Sequence, residues 1–410
     1  MWLFAILVAP AVLLAIASWR GEKDKFRYYR DRLRDQKQET FLPPVTLIVP
    51  VKGHDEGLRE NLASLAALDY PNFELIVAAR TPGDIPEAVV PATARVVFSK
   101  NIAAAAAEKL QNLLAAVRAA SSESQVLVFA DSDGRVSRGW LRALVAPLKE
   151  QQAGAATGYR VYLPEPANFW SNLRSAWNAV IFGMFGPKKV EFVWGGAMAI
   201  RKELFARLGV ESLWARTASD DYVLTQALRN AGLRLCFAPG ALVVSSDRIS
   251  AGALLGWIRR QMIITRIYAP RLWALSFAAT LMYCLAMVVC VVEMARGRAI
   301  AGAVLVFLLT AGMLKGTVRA RLAAMALPEF RSWFELHGWT YTWLVPLGTW
   351  MWLYGHLVSA YSNVIEWRGY RYRLSRDGVF KICQSAAPTP EKSGVRSDEG
   401  RAVCLPPDHR

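Results

Sequence analysis

Apolar residues are distributed along this 410-residue chain in two different patterns. Between residues 45 and 131, short β-branched runs alternate with longer stretches that have the spacing of an amphipathic helix. These runs predict strands at 45–53, 73–79, 94–99 and 125–131, and helices at 58–68 and 103–120. Strands that alternate with helices are typical of an open, largely parallel sheet with helices on both faces. We therefore predict an α/β domain, in which ligands bind at the carboxyl ends of the strands.

The second pattern consists of long apolar runs with few charges. Such runs occupy residues 2–19, 272–292, 299–314 and 338–364, the last of which is rich in Trp and Tyr and is interrupted by Pro346. Residues 272–292 carry no charge at all, and roughly 20 apolar residues are enough for a helix to cross a bilayer. The runs predict a membrane protein whose soluble part lies between the first run and the second.

The N-terminal run has two interpretations. Its residues Ala15–Ala17 resemble the small-residue cleavage site of a signal peptide. However, no basic residue precedes the run, whereas five follow it between Arg20 and Arg30. That asymmetry favours an uncleaved anchor whose following segment stays in the cytoplasm. We therefore expect the soluble domain on the cytoplasmic side of the membrane.

The net charge of +16 is concentrated beside the apolar runs. This arrangement favours attraction to anionic lipid headgroups. We expect no nucleic-acid partner, because no recognition motif accompanies the charge.

The two patterns together predict seven segments. They are a membrane anchor (1–20), a basic juxtamembrane linker (21–43), an α/β domain (44–248), an interfacial amphipathic helix (249–271), transmembrane or re-entrant helices (272–365), a basic juxtamembrane segment (366–383) and a disordered tail (384–410). If all four apolar runs spanned the bilayer, the basic segment would emerge outside, against the positive-inside bias. The run that contains Pro346 is our candidate for an interfacial or re-entrant segment.

Two carboxylates one residue apart follow the strand predicted at 125–131. Like charges repel, so Asp131 and Asp133 together at a strand end favour a divalent cation. Mg²⁺ or Mn²⁺ suits this position, since such ions prefer oxygen ligands and bridge phosphate oxygens. An ordinary polar turn remains the alternative, because Asp, Ser and Gly are turn formers.

A second acidic pair, Asp220 and Asp221, falls in the first turn of a helix predicted from the N-cap candidate Ser219 to Gly232. The pair either interacts with the helix dipole or places one general base at the rim of a site. Two adjacent aspartates cannot both face one point, so only one is expected to be catalytic. Asp55, beyond the first strand, either caps a loop or bonds a nucleotide.

These segments, taken in order, resemble the ceramide glucosyltransferase family, which has the GT-A fold of nucleotide-sugar glycosyltransferases. The resemblance is carried by "PVKGHDEGLRENLASLAALDYPNFELIV", "EKLQNL", "FADSDGRV", "WGGAMAIRK", "SDDYVLTQAL" and "EWRGYRYRL". It covers most of residues 44–382. It implies a Rossmann-like catalytic domain with a mixed, mainly parallel sheet, and transmembrane helices at both the N-terminal and C-terminal ends.

The resemblance also implies roles for individual residues. Asp55, Lys109 and Asn112 match positions near the donor, and Asp131 and Asp133 match the site of the metal and the diphosphate. In the second half of the domain, Gly195 and Gly196 match the close-packed turn under the sugar. Asp221 matches the base that deprotonates the acceptor hydroxyl.

The last family motif is incomplete. Gln261 fits, but Ile264 and Thr265 stand where the resemblance implies Arg and Trp. In related synthases those two residues support the diphosphate and the acceptor. Replacement by a nearby arginine, such as Arg259, Arg260 or Arg266, is a hypothesis based on proximity in sequence. Aromatic residues including Trp170 and Trp177 are candidates for the wall of an acceptor groove, although core packing or a membrane aromatic belt explains them equally well.

The implied activity is the inverting transfer of a hexose, by resemblance glucose, from a UDP-sugar to a lipid hydroxyl such as that of ceramide. Alternatives are transfer to another lipid (a hopanoid or a polyisoprenoid), a processive polysaccharide synthase, or a non-catalytic scaffold that binds nucleotide sugar. The oligomeric state does not follow from the sequence.

Overall fold

The eight strands of the main sheet form a mixed arrangement. The computed structural model describes residues 2–53, 56–86, 89–100, 106–187, 190–367, 370–376 and 378–384. The strands are β1 (Val45–Pro50), β2 (Phe73–Ala79), β3 (Ala94–Phe98), β4 (Val126–Ala130), β5 (Arg135–Val136), β6 (Ala153–Tyr162), β7 (Ala197–Arg201) and β8 (Arg234–Ser245). Their order in the sheet is β3-β2-β1-β4-β7-β6-β8-β5.

One half of the sheet is parallel, and ligands bind at the carboxyl ends of such strands in this class of fold. Strands β3, β2, β1 and β4 are all parallel, whereas β7 runs antiparallel to both β4 and β6. Strands β6 and β8 are again parallel, and β5 is antiparallel to β8. The sheet is therefore mixed and mainly parallel, and the predicted fold class is confirmed.

Helices cover both faces of the sheet. They are α3 (Leu58–Ala66), α4 (Glu108–Ala119), α5 (Trp140–Val145), α6 (Phe169–Phe182), α7 (Lys202–Arg207), α8 (Val210–Trp214) and α9 (Asp220–Asn230). Strand β4 alternates between two cores, with Val128 packed on the side of α3 and α5 and Phe129 on the side of α4 and α8. A strand buried on both faces has a continuous apolar sequence, which explains why β4 was predictable.

Strand β6 was not predicted. Its sequence, "AGAATGYRVY", consists mostly of small residues and lacks both an apolar run and a period of two. All ten residues are nevertheless buried, because β6 lies between β7 and β8 and under α6. Small side chains let these layers approach closely, so neighbouring elements rather than local pattern determine this strand.

Further helices, some of them long and apolar, lie at both ends of the α/β domain. They are α1 (Trp2–Ala17), α2 (Glu22–Asp35), α10 (Ala251–Tyr268), α11 (Pro270–Ala295), α12 (Ala299–Ala326), α13 (Arg331–His337), α14 (Thr340–Trp343) and α15 (Val345–Ala360). In the described residues, three helical stretches are long and apolar enough to cross a membrane, namely Phe4–Asp35, Pro270–Ala295 and Ala299–Ala326. This finding is consistent with a membrane protein.

The run with Pro346 forms a shorter helix. Helix α15 has 16 residues and begins next to this proline. At 1.5 Å per residue it is roughly 24 Å long, less than the ~30 Å hydrocarbon core of a bilayer. An interfacial or re-entrant position for this segment stays a prediction.

Two segments predicted as basic juxtamembrane regions have regular structure. Residues 22–35 form α2, whose Tyr29 is fully buried against the α/β domain. Near the C-terminus, β9 (Val364–Trp367), β10 (Tyr370–Leu374) and β11 (Val379–Gln384) form an antiparallel sheet of order β11-β10-β9. Tyr372 and Leu374 of this sheet pack into the core beside α4. Of the predicted disordered tail (384–410), Gln384 belongs to β11, and residues 385–410 lie outside the described residues.

We predict that Gly158→Ala destabilises the protein, because a Cβ at this position of β6 would overlap the backbone carbonyl of Ala241 in β8. Overpacking of this kind typically costs about 1–3 kcal/mol. Thermal unfolding of the detergent-solubilised protein should show a lower Tm. Gly252→Ala is the control, since a Cβ there meets open space in α10. Equal Tm values for the two variants would contradict the proposed close approach.

Candidate active site

A cavity of about 840 Å³ opens at the carboxyl ends of β1 and β4. Its wall contains Asp131 and Asp133 after β4, Lys109 and Asn112 of α4, and Asp220 and Asp221 of α9. The structure therefore brings together residues that are up to about a hundred positions apart in the chain. Among the predicted site residues, Asp55 lies outside the described part of the chain.

Lys109 joins the two acidic pairs. Its Nζ lies 2.9 Å from Asp131 Oδ1 and 3.0 Å from Asp220 Oδ2. Burial alone lowers the pKa of a lysine, but the two carboxylates outweigh burial and raise the pKa of Lys109 above its ordinary value. Lys109 is thus a permanent cation, and it determines which way Asp220 points.

Arg160 of β6 bridges the predicted metal ligands. Its guanidinium donates to Asp133 Oδ2 at 2.8 Å and Oδ1 at 2.5 Å, and to Asp131 Oδ2 at 3.1 Å. Burial opposes its charge, yet Asp133 and Asp131 raise the pKa of Arg160 well above its ordinary value. Sequence reasoning missed this residue, although one signal was present, since Arg160 is the only charged residue between 151 and 164.

Two glycines make room for these carboxylates. A Cβ on Gly195 would overlap the carboxyl group of Asp220, and a Cβ on Gly196 would lie 2.6 Å from Asp131 Oδ2. The Gly-Gly turn before β7 therefore packs directly against the acidic cluster. The predicted close-packed turn is present, and the groups next to it are Asp131, Asp220 and the ring of Trp194.

Asp221 differs from its neighbour Asp220 in every contact. Ser219 caps α9 as predicted, accepting from the backbone N–H of Tyr222, while its hydroxyl donates to Asp221 Oδ1 at 2.5 Å. Burial first, and the charge of Asp220 second, raise the pKa of Asp221 to about 6. Asp220 forms an ion pair with Lys109. The carboxylate of Asp221, whose pKa is raised, lies in the cavity wall.

A second group of polar residues lies at the start of α4, next to Lys109. Glu108 Oε2 lies 2.8 Å from Lys52 Nζ, and Lys52 in turn lies 3.9 Å from the ring centre of Tyr370. Glu108 Oε1 and Asn112 Oδ1 are buried and accept no hydrogen bond from the described part of the protein. Both residues line the cavity.

The predicted acceptor residues are only partly brought together. Gln261 and Arg260 line the cavity, and so does Trp177, whose ring stacks on Trp352 at 4.3 Å. Within the described residues, Arg266 lies outside the cavity wall and donates to the backbone of Ser362 at 3.0 Å. Trp170 is 39% exposed and also lies outside that wall.

The opposite end of the cavity is apolar and reaches the membrane helices. Trp257 of α10 lies edge-on to Trp177, with ring centres 5.0 Å apart, and contacts Tyr162 in the same manner. Leu272 and Ser276 of α11 complete this end of the wall. One continuous cavity therefore connects the acidic cluster with the first long helix that is able to cross a membrane after the α/β domain.

The acidic cluster fits a divalent cation by donor type, because Mg²⁺ and Mn²⁺ prefer carboxylate oxygens. In the described residues, Lys109 and Arg160 pair with three of its carboxylates, those of Asp131, Asp133 and Asp220. In the described part of the chain, no group of three or more His, Cys, Asp or Glu side chains is arranged to hold a metal. A cation at Asp131 and Asp133 would thus need further oxygen ligands from water or from a phosphate, which is the usual environment of Mg²⁺.

The chain belongs to a known glycosyltransferase family. The family model described as "Glycosyl transferase family 21" matches residues 3–380. This match confirms the resemblance at the level of the family and defines the reaction class as glycosyl transfer.

Solved structures similar to this chain include three transferases. The mannosyltransferase PcManGT from Pyrobaculum calidifontis, in complex with GDP-Man and Mn²⁺, is 21% identical, covering 82% of this chain and 96% of that one, with a TM-score of 0.46. GalNAc-T7 with UDP, GalNAc and Mn²⁺ is 14% identical over 55% of this chain and 50% of that one (TM-score 0.38). Glucosyl-3-phosphoglycerate synthase from M. tuberculosis is 18% identical over 58% of this chain and 83% of that one (TM-score 0.37).

We predict that Lys109→Met lowers the stability of the protein strongly. Removing one partner of a buried ion pair typically costs about 3–5 kcal/mol, because the remaining carboxylates stay buried without compensation. Thermal unfolding should show a much lower Tm than for Arg331→Met, which breaks an exposed pair with Glu335 worth roughly 0–1 kcal/mol. Similar Tm values for these two variants would exclude a central role for Lys109 in charge compensation.

Proposed function

We propose that the protein is a membrane-bound inverting glycosyltransferase that moves a hexose, by resemblance glucose, from a UDP-sugar to a lipid hydroxyl such as that of ceramide. The observation that carries this proposal is the continuous cavity, which has carboxylates at the strand ends and apolar residues of α10 and α11 at its other end. A nucleotide diphosphosugar suits the first end, and a lipid suits the second.

The donor binds at the carboxyl ends of the parallel strands. Asp131 and Asp133 would hold Mg²⁺ or Mn²⁺, and Lys109 orients Asp131. The cation would supply Lewis-acid stabilisation of the diphosphate that leaves. Asn112 and Asp55 are the proposed contacts of the nucleoside, and Gly195 and Gly196 allow the sugar to approach the sheet.

Asp221 acts as the general base. The lipid oxygen attacks the anomeric carbon from the face opposite to the diphosphate, so a new C–O bond forms as the bond to the phosphate oxygen breaks. UDP leaves with the electron pair of that bond, and the hydroxyl proton moves to the carboxylate of Asp221. General base catalysis of this type typically contributes about 10²–10⁴-fold.

The membrane location follows from the nature of the acceptor. Each CH₂ of a lipid chain that leaves the bilayer costs about 0.8 kcal/mol, so a two-chain lipid stays in the membrane. The catalytic domain must therefore come to the lipid. We propose that the domain lies on the cytoplasmic side and that the acceptor reaches Asp221 past Trp257 and Trp177.

Assays of purified membranes with several labelled UDP-sugars and a total lipid extract, with and without chelator, test this proposal. We expect one labelled sugar to be transferred to a lipid and the transfer to stop when the chelator is added. A labelled polymer would indicate a polysaccharide synthase instead. Metal-dependent UDP binding without transfer to any lipid would favour a non-catalytic scaffold.

We predict that Asp221→Asn abolishes transfer and leaves UDP binding in the presence of Mn²⁺ within about threefold of wild type. The amide keeps the shape of the side chain but accepts no proton, so the loss should fall on kcat by about 10²-fold or more. Retained turnover in this variant would remove Asp221 from the role of base.

The pH profile of the wild type gives a second measurement on the same residue. With a pKa of about 6, Asp221 is protonated at lower pH and unable to accept the proton of the acceptor. Transfer should therefore rise with pH through about 6 and then level off. A rate that stays constant between pH 5 and pH 7 would contradict this assignment.

We predict that Trp257→Ala raises KM for a long-chain lipid acceptor by about tenfold, since an aromatic contact with a lipid chain contributes roughly 1.5 kcal/mol. KM for a water-soluble short-chain acceptor and the affinity for UDP should stay unchanged. Trp170→Ala is the control, because Trp170 lies outside the cavity wall. A loss that affects both acceptors equally would show that Trp257 has a purely structural role.

A further inference from the structure

We propose that Arg160 is a resident cation that exchanges partners when the donor binds. In the free protein it neutralises Asp131 and Asp133, and in the donor complex its guanidinium moves to the diphosphate while the divalent cation takes over the two carboxylates. This inference rests on the proposed function.

The first observation is that every carboxylate oxygen of Asp131 and Asp133 already has a cationic partner. Arg160 contacts both oxygens of Asp133 and Oδ2 of Asp131, while Lys109 contacts Oδ1 of Asp131. All four oxygens are therefore engaged by protein cations. A divalent cation binds these carboxylates only if at least part of the guanidinium moves away.

The second observation is that Arg160 is not fully satisfied where it lies. Its Nε is buried and has no hydrogen-bond partner among the described residues. Buried N–H groups are almost always paired, so an orphaned one within a ligand cavity indicates a partner that arrives with the ligand. A guanidinium matches phosphate oxygens in a bidentate manner better than any other side chain does.

The surroundings allow a short movement of the guanidinium while the backbone stays fixed. The backbone of Arg160 lies in β6, where its carbonyl accepts from Asn178 Nδ2 at 2.8 Å. The guanidinium carbon lies 5.0 Å from the ring centre of Trp194 and 5.7 Å from that of Tyr162. These ring faces stabilise a cation without a directional bond, so they permit a new orientation within the cavity.

Arg160 is a further candidate for the phosphate contact that the incomplete motif on α10 lacks. Ile264 and Thr265 line the cavity and carry no charge. Arg259 and Arg260 of α10 also line the cavity, whereas Arg266 donates to the backbone of Ser362. A phosphate contact from β6 would therefore act together with these two arginines of α10.

The exchange makes the divalent cation and the diphosphate bind cooperatively. A cation that arrives alone must displace Arg160 and leave it without a counter-charge, which weakens binding. A cation that arrives with a diphosphate gives the displaced guanidinium a new partner. The two ligands thus favour each other through Arg160, and this coupling is reciprocal.

Arg160→Gln in the full-length protein tests the exchange by binding measurements alone. Titration with Mn²⁺ in the absence of nucleotide should show an affinity about tenfold higher than in wild type, because the competing charge is gone. Titration with UDP at saturating Mn²⁺ should show an affinity about tenfold lower, while uridine binding stays unchanged. Mn²⁺ and UDP affinities that move in opposite directions are not expected from general structural damage.

Arg174→Gln is the matched control, since Arg174 is also a buried arginine of the cavity wall but pairs with Asp247 at 2.7 Å. It should leave the affinity for Mn²⁺ alone unchanged. Arg160→Lys, which keeps the charge without the forked geometry, should lie between wild type and Arg160→Gln, and it replaces the Gln variant if that variant does not fold.

Three results would overturn the inference. If the affinity for Mn²⁺ alone is unchanged or lower in Arg160→Gln, the guanidinium does not compete with the cation. If UDP binding is unchanged, the guanidinium does not move to the diphosphate. If the wild type binds neither Mn²⁺ nor UDP, the proposed function fails together with the exchange, whereas the first two results leave that function intact.

Discussion

Compensation of charge around four aspartates is the constraint on which the site depends. In the described residues, the buried cations Lys109 and Arg160 pair with Asp131, Asp133 and Asp220. Each cation comes from a different element, α4 or β6, and each bridges two carboxylates. The site is consequently assembled only when the sheet, α4 and α9 are all in place.

This constraint explains which parts of the site were predictable from sequence. Asp131 and Asp133 follow an apolar strand, and Asp221 lies two residues after an N-cap serine. Both features can be recognised from the local sequence without knowledge of the fold. The partners of these carboxylates have no such signal. Arg160 lies in a strand of small residues that has no strand periodicity, and its contact with Asp133 depends on the pairing of β6 with β7 and β8.

The same distinction applies to the fold. The parallel strands β1, β2 and β4 and the long apolar helices were predicted because burial on both faces, or contact with lipid, requires continuous apolar runs. Strand β3 lies at the edge of the sheet and is partly exposed, and its β-branched residues predicted it. The C-terminal sheet was missed because its alternating residues, such as Tyr372 and Leu374, are buried against an element more than two hundred residues earlier in the chain. A basic, aromatic segment beside a membrane helix is equally typical of an interfacial region. The local pattern therefore does not distinguish an interfacial segment from a small antiparallel sheet.

The adjacent residues Asp220 and Asp221 show how one helix N-terminus produces two chemically different carboxylates. Successive residues of a helix point about 100° apart, so Lys109 forms an ion pair with Asp220 and not with Asp221. The charge of Asp220 raises the pKa of Asp221, and the charge of Lys109 lowers it. Burial and this neighbouring charge raise the pKa of Asp221, whereas the Ser219 hydroxyl and the Tyr222 N–H moderate the rise. A carboxylate with a pKa of about 6 is a stronger base than an exposed aspartate and is still ionised at neutral pH. The ion pair of Asp220 therefore also affects the protonation of Asp221, the residue that we propose as the base.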